Sequence, residues 1–386
     1  MKLTSHHRTL LPLAAVQGAV GSLGGFIGFF VIGANDLDAL FRYTAAMLTA
    51  AFGATFLAYV VAGRLNLSGR GLLRAGLFFP GLLLLAADGS VALTAIAFGA
   101  YLGLTWTARH SLEMSLLEDH ERDPYAARTG TATIVLSVAS TLAATLLLAA
   151  SAEQSRYVYW WYAALCIAGA LFLGKSIPHT APVSLKAPLS VLRQPRFIAC
   201  LPLFFLESGL FGIGLAMAST GASNALGVAS HYGWVSTLAG LAGGMALYVT
   251  RKNRNTANRA QWFGGSCLVM AVAYLLLGAS AWIPALYIVH SVLRAAGSPF
   301  LGASQAVLNQ CTLDIRGDLA DRIFAREFVL WVLRLIALCL FWGLAKLLQP
   351  MQLLVVGSTL LAAAMATEYV IGKTLFWRVP VAEQAA

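Results

Sequence analysis

Twelve apolar stretches, each roughly long enough to cross a bilayer, occupy the chain from Leu10 to Ile371. A hydrocarbon core about 30 Å thick needs about 20 residues of helix, and a helix satisfies its own backbone polar groups where lipid offers no partner. The stretches fall near 10–33, 40–63, 71–87, 90–116, 129–152 and 157–174, then near 197–219, 230–250, 261–279, 282–304, 324–347 and 351–371. Only 11% of the residues are charged, against about 25% in a soluble domain. The sequence predicts an all-α membrane protein with twelve transmembrane helices.

The formal charge of +10 could suggest a nucleic-acid binder, but its distribution gives it another role. With the N-terminus in the cytoplasm, all but six of the 26 Lys and Arg fall on the cytoplasmic side or its loops. The exceptions are Arg42, Arg156 and Lys346, which fall outside, and Arg109, Arg294 and Arg334, which fall within spans. The excess of internal positive charge predicts that both termini of this multi-pass protein are cytoplasmic, and the expected location is the cytoplasmic (inner) membrane of a bacterial cell. The first apolar stretch is longer than a signal peptide's and is read as a retained helix. Cys166, Cys200, Cys267, Cys311 and Cys339 show no paired spacing, so no disulfide framework, metal site or cofactor is expected.

The longest cytoplasmic connection carries Pro178, Pro182, Pro188 and Pro195 and divides the spans six and six. This gives an N-terminal bundle over 1–174, a linker over 175–196 and a C-terminal bundle over 197–386. The halves echo each other. Arg8 precedes Pro12-Leu13 as Arg196 precedes Pro202-Leu203, Tyr59-Val60 is matched by Tyr248-Val249, and a mixed-charge loop ending Ala127-Arg128 is matched by one ending Ala325-Arg326. Offsets of about 190 residues are what a duplicated six-helix unit leaves behind.

The turn Gly63-Arg64-Leu65-Asn66-Leu67-Ser68-Gly69-Arg70 resembles the glycine and arginine signature loop of the major facilitator superfamily of secondary transporters. It is about one residue short of that pattern and lacks the Asp. Arg251-Lys252-Asn253-Arg254 keeps only the basic character, and Leu192-Arg193-Gln194-Pro195-Arg196-Phe197 is also similar to that superfamily. The resemblance implies two pseudo-symmetric six-helix bundles, alternating access and proton coupling. It also implies a cytoplasmic gate at Gly63, Gly69 and Arg70, with Arg128 and Arg326 at the two matching loop ends. The fifth span lacks the Gly-Pro motif of drug antiporters, since 129–151 contains Gly130 and no Pro.

Ionised side chains inside a membrane cost a few kcal/mol and mark candidate functional sites. Arg109 and Glu113 share one face of the fourth span, with His110 beside them; they form either an internal ion pair or part of a substrate site or gate. Glu207 lies about eleven residues into the seventh span and is the first candidate proton carrier, with Glu113 and His290 as alternatives; a structural hydrogen bond is the competing role for Glu207. His290 and Arg294 stand at i and i+4 ahead of Gly297-Ser298-Pro299, a candidate hinge. Arg334 shares a stripe with Arg326, Glu327 and Trp331. Its planar fork suits a carboxylate or phosphate, unless it pairs with Glu207 or Glu113 instead. Gln17 is the polar exception in a glycine-rich first span. The run from Tyr157 to Tyr162 reads as an interfacial aromatic belt, and Glu118 to Asp123 as a loop acting as a salt-bridged latch.

The spans contain no phosphate loop, nucleophile constellation or zinc spacing, so the expectation is a non-enzymatic transporter. Its expected partners are a small-molecule substrate, protons and the lipid bilayer, and it is expected to be a monomer that binds no nucleic acid. Three intramembrane arginines against two mid-span glutamates tilt the substrate toward an organic anion, a siderophore-like chelator or a phosphorylated metabolite, with export the favoured direction. Arg334, Arg294, Arg109, Trp331 and Gln17 are the expected substrate contacts. Two rivals remain open: a lipid or lysolipid translocator with a laterally open cavity, and a non-transporting receptor or scaffold without a continuous polar cavity.

Overall fold

The computed structural model describes residues 5–33, 37–250 and 258–378. Lys2, Asp36 and the loop Arg251-Lys252-Asn253-Arg254 lie outside the described residues. The first span is α1 (Ser5–Gly21) and α2 (Leu23–Gly33), broken at Ser22. The next five are α3 (Leu37–Leu65), α4 (Gly69–Leu84), α5 (Val91–Leu116), α6 (Asp119–Ala150) and α7 (Ser155–Ser176). After a linker with the short α8 (Pro188–Leu192), the seventh span is assembled from α9 (Pro195–Ala199), α10 (Leu201–Phe204), a π turn (Phe205–Gly209) and α11 (Phe211–Leu226). Then come α12 (Ala229–Thr250), α13 (Arg259–Ala279), α14 (Leu286–Leu313), α15 (Leu319–Ala345) and α16 (Pro350–Arg378).

Nine of the described helices are long and apolar enough to cross a membrane by length and composition alone. The other three that complete twelve spans are α4, α12 and α14. α4 has only 16 residues. α14 carries His290, Arg294, Gln305, Asn309 and Gln310, polar groups that lower its hydropathy. Large apolar side chains such as Met245 (71% exposed) and Leu340 (72% exposed) cover the outer surface, as a lipid-facing wall requires.

Close backbone approach repeats in both halves. A Cβ on Gly103 of α5 would stand 2.0 Å from the Ala51 carbonyl oxygen of α3, and one on Gly243 of α12 would stand 2.0 Å from the Ala295 carbonyl oxygen of α14. The second and fourth helices of each half thus pack through a glycine, since without lipid-driven attraction small residues must supply the contact area.

The two faces of the bundle are told apart by their hydrogen bonds. On the basic face, Val183 N donates to Leu67 O at 2.8 Å and Gly69 N to Thr180 Oγ1 at 3.3 Å, tying the linker to the α3–α4 turn. Arg70 donates to Ile177 O at 3.4 Å. The same linker reaches the second half, where Lys186 N and Ala187 N each donate to the buried Asp321 carboxylate at 2.9 Å. On the opposite face Trp342 Nε1 donates to Asp38 at 2.6 Å and Ser230 N to Glu153 at 3.1 Å, so the halves also meet there.

Four expectations change. Residues from Asp119 to Asp123 are the first turns of α6, with Glu118 as N-cap, so they are not a loop. The segment does form a salt bridge: Arg122 grips Asp314 of the other half at 2.7 and 3.3 Å. The aromatic belt shrinks, since Tyr159 and Tyr162 are buried, with Tyr162 bonded to Ser22 at 2.7 Å; Trp160 remains exposed. α14 runs continuously through Pro299 and reaches Leu313, nine residues past the hydropathy boundary at 304.

Candidate functional site

A cavity lies between the halves in two contiguous lobes. The inner lobe, about 470 Å³, is lined by Phe52, Arg109, Glu113, Glu207, Ser208, Gln305, Asn309, Arg326, Glu327, Trp331 and Arg334, among others. The outer lobe, about 710 Å³, is lined by Gln17, Gly21, Tyr101, Arg109, Thr133, Glu207, Tyr232, Arg294 and others. Arg109, Glu207, Phe211 and Ser298 border both, so the lobes share a wall. These volumes fall within the roughly 300–1,000 Å³ of small-molecule sites.

In the first half, Arg109 donates to Glu113 at 2.6 Å and to Gln17 Oε1 at 3.0 Å, while Gln17 Nε2 donates to Thr105 Oγ1 at 3.3 Å. The Arg109 guanidinium also sits 5.2 Å from the Trp106 ring centre. The internal ion pair foreseen for Arg109 and Glu113 is present, and it extends to Gln17 one helix away.

In the second half the site is organised by a π turn. Its wider winding puts Glu207 and Ser208 on the cavity wall, and π turns of this kind recur at functional sites. Arg334 donates through Nε to the Ser208 carbonyl at 3.2 Å and through Nη2 to the Ser208 hydroxyl, with Phe211 5.9 Å beneath its guanidinium. This replaces the pairing with Glu207 or Glu113: among the described residues no carboxylate lies within 4.0 Å of Arg334. Arg294, exposed on the outer lobe, has no carboxylate within that distance either. Trp331, one turn before Arg334, stacks on Phe52 at 4.8 Å, and its buried Nε1 has no acceptor among the described residues.

Arg326 was expected in a cytoplasmic gate, but the structure places it in the cavity wall, only 4% exposed. It donates to Glu327 at 2.9 Å and to Asn309, and stands 3.8 Å from Glu207. Glu207 is therefore not isolated in an apolar span, since Asn309 donates to it as well. His290 is also corrected. It is 1% exposed, bonds through Nδ1 to Ala273 O at 2.7 Å and lines neither lobe, so it packs α14 on α13. Among the other gate residues, Gly63 and Gly69 flank the turn where the linker docks, and Arg128 sits on α6 at intermediate exposure.

The sequence reading missed a rack of amides on α14. Gln305 donates to Glu368 of α16 at 2.8 Å, Asn309 donates to Glu207, and Gln310 donates across the halves to Glu113 at 3.2 Å. Glu368 was legible as the one acid in the apolar run 351–371. The rack itself was not legible, because amides in a span carry no charge to flag them. The expected excess of arginine also changes: the inner lobe holds Arg109, Arg326 and Arg334 against Glu113, Glu207 and Glu327, so its cations and acids balance in number.

With twelve spans in two halves around a central cavity, the fold is that of the major facilitator superfamily transporters. Three solved structures show the likeness. The human organic anion transporter MFSD10 (TETRAN) is 13% identical, with 96% of this chain and 99% of that chain covered at a TM-score of 0.57. The nucleoside transporter NupG is 10% identical over 98% and 100% at 0.58, and the E. coli fucose:proton symporter FucP is 15% identical over 96% and 97% at 0.60. No family model and no curated protein sequence matches the chain.

Proposed function

We propose that the chain is a secondary active transporter that moves a small organic anion by alternating access, with protons as the coupling ion. In this reading 1–174 and 197–386 rock about the cavity, joined by 175–196, in a cytoplasmic membrane with both termini inside. The observation that carries the anion is the pairing pattern. Arg109 and Arg326 are engaged by carboxylates, whereas Arg334 and Arg294 face the cavity with no carboxylate within 4.0 Å among the described residues. A guanidinium held only by a serine keeps donors for a carboxylate or phosphate, and its planar fork matches that geometry. The similar folds are those of small-solute transporters, one of organic anions. The shared wall joining Arg109, Glu207, Arg294 and Arg334 speaks against a scaffold without a continuous polar cavity.

The lysolipid reading keeps one observation in its favour. Phe52 on the cavity wall lies 6.5 Å from Phe56, which is 46% exposed on the lipid side, so an apolar strip runs outward between α3 and α15. A ligand panel decides between the readings: carboxylates, phosphorylated metabolites, lysophospholipids, neutral sugars and nucleosides, screened by thermal shift on purified protein. Soluble anions are expected to stabilise it. Arg334→Ala should then weaken their binding by about 2–4 kcal/mol, roughly 30- to 1,000-fold, with Arg334→Lys recovering part. Unchanged affinity in a monodisperse Arg334→Ala protein would remove the anion site.

A further inference from the structure

Of the three carboxyls held by the α14 amides, two are compensated by a cation. Glu113 has Arg109 at 2.6 Å, and Glu207 has Arg326 at 3.8 Å. The third has none. Glu368 is 0% exposed, its Oε1 accepts only from Gln305 Nε2 at 2.8 Å, and its Oε2 has no partner among the described residues. No Lys, Arg or His nitrogen lies within 4.0 Å of it among those residues.

Its surroundings are apolar. Met365, one turn earlier on α16, and Leu301 and Leu308, one turn to either side of Gln305, belong to a buried cluster with Leu203, Phe263 and Cys267. Among the described residues, the titratable groups facing Glu368 are Cys267 and Tyr274 of α13 and Glu207 of the π turn, with Tyr369 beside it on α16. α10 and α11, also packed on α16, carry no titratable side chains. The α15 cations Arg326 and Arg334 are taken up by Glu207, Asn309, Glu327 and Ser208.

A lone carboxylate in such a setting is strongly disfavoured, because nothing offsets its lost hydration. A carboxylic acid is not, since it buries no charge. We propose that Glu368 is a proton-binding site of the protein, with Gln305 on the cavity wall as its hydrogen-bond partner in both protonation states; this deepens the coupling reading above. An amide suits the task because it can donate to a carboxylate and, after turning over, accept from the acid, so Gln305 can stay bonded to Glu368 in both states. An arginine partner would hold the charged form alone. When the proton leaves, the new negative charge acts on Glu207, linking proton occupancy to the π turn that holds Arg334. Glu207 then serves as counter-ion to Arg326.

Infrared difference spectroscopy on the full-length protein in lipid nanodiscs tests this with no organic ligand added, so the outcome is independent of whether Arg334 binds an anion. At neutral pH the wild type should show the carbonyl band of a buried carboxylic acid. The band should persist in Glu207→Gln and vanish in Glu368→Gln. Persistence of the band in Glu368→Gln, or its absence from the wild type, overturns the proposal. Gln305→Leu keeps the carboxyl but removes its hydrogen-bond partner, and should move the band to higher frequency. An unmoved band in that variant overturns the assignment even if Glu368→Gln does not fold.

Discussion

The Arg122–Asp314 pair should set the conformational balance of the basic face. Arg122 belongs to α6 of the first half and Asp314 follows α14 of the second, so the bond exists only while that face is closed. The pair has two hydrogen bonds, at 2.7 and 3.3 Å, and side chains that are 8% and 32% exposed. It therefore lies between an exposed ion pair, worth about 0.2–1 kcal/mol, and a fully buried one. A charge-assisted contact of this burial contributes about 1.5–3 kcal/mol. Because the contribution is absent from the open state, its removal should raise the open-to-closed ratio by roughly 13- to 160-fold. Pulsed electron resonance between spin labels at the exposed Ser176 and Arg316 reads that ratio directly in Arg122→Ala, Asp314→Ala and the double variant. Each single change should populate longer distances, and the double should add little to either. If the two effects simply sum, the coupling energy is zero and the pair is no latch.

Gly103→Ala should destabilise the protein by about 1–3 kcal/mol or more, because its Cβ meets a backbone oxygen that cannot yield. Gly53→Ala, with nothing within 4 Å, should lie within about 0.5 kcal/mol of wild type; thermal unfolding in detergent compares the two. Asp321→Ala leaves two linker N–H groups without their acceptor and should expose the linker after Pro178 to limited proteolysis, whereas an unchanged cleavage pattern would show that the linker is held elsewhere. The exposed Lys186–Asp318 contact at 2.9 Å raises the Lys186 amine above its usual value, through the hydrogen bond and charge of Asp318. Its stabilising effect is thus present at neutral pH and lost as pH rises through that raised value, and salt should weaken it too; proteolysis at high salt and alkaline pH checks both.

The individual polar residues show where sequence reading succeeds and where it stops. Arg109 and Glu113 are four apart on a helix, so their pairing follows from helical geometry alone. Arg334 was recognisable as a buried cation on the Trp331 stripe, but its partner was not, because Ser208 lies 126 residues earlier on a π turn whose winding no hydropathy pattern encodes. His290 was flagged by its chemistry and displaced by its packing: it bonds to the Ala273 carbonyl, whereas Arg294 one turn later lines the outer lobe. The early start of α6 and the late end of α14 escaped for a related reason, since charged and amide residues end a hydropathy window but not a helix.

By itself the sequence determined that the chain is a bundle of about twelve membrane-crossing helices with most of its basic residues on one face, because transfer into lipid depends on local composition and on satisfying each segment's own backbone. Only the tertiary structure decided which buried polar groups meet. Helical periodicity says which residues share a face, but not which helix that face will meet. The contacts that define the site, Gln310 with Glu113 across 197 residues and Gln305 with Glu368 across 63, are therefore settled by packing between helices far apart in the chain.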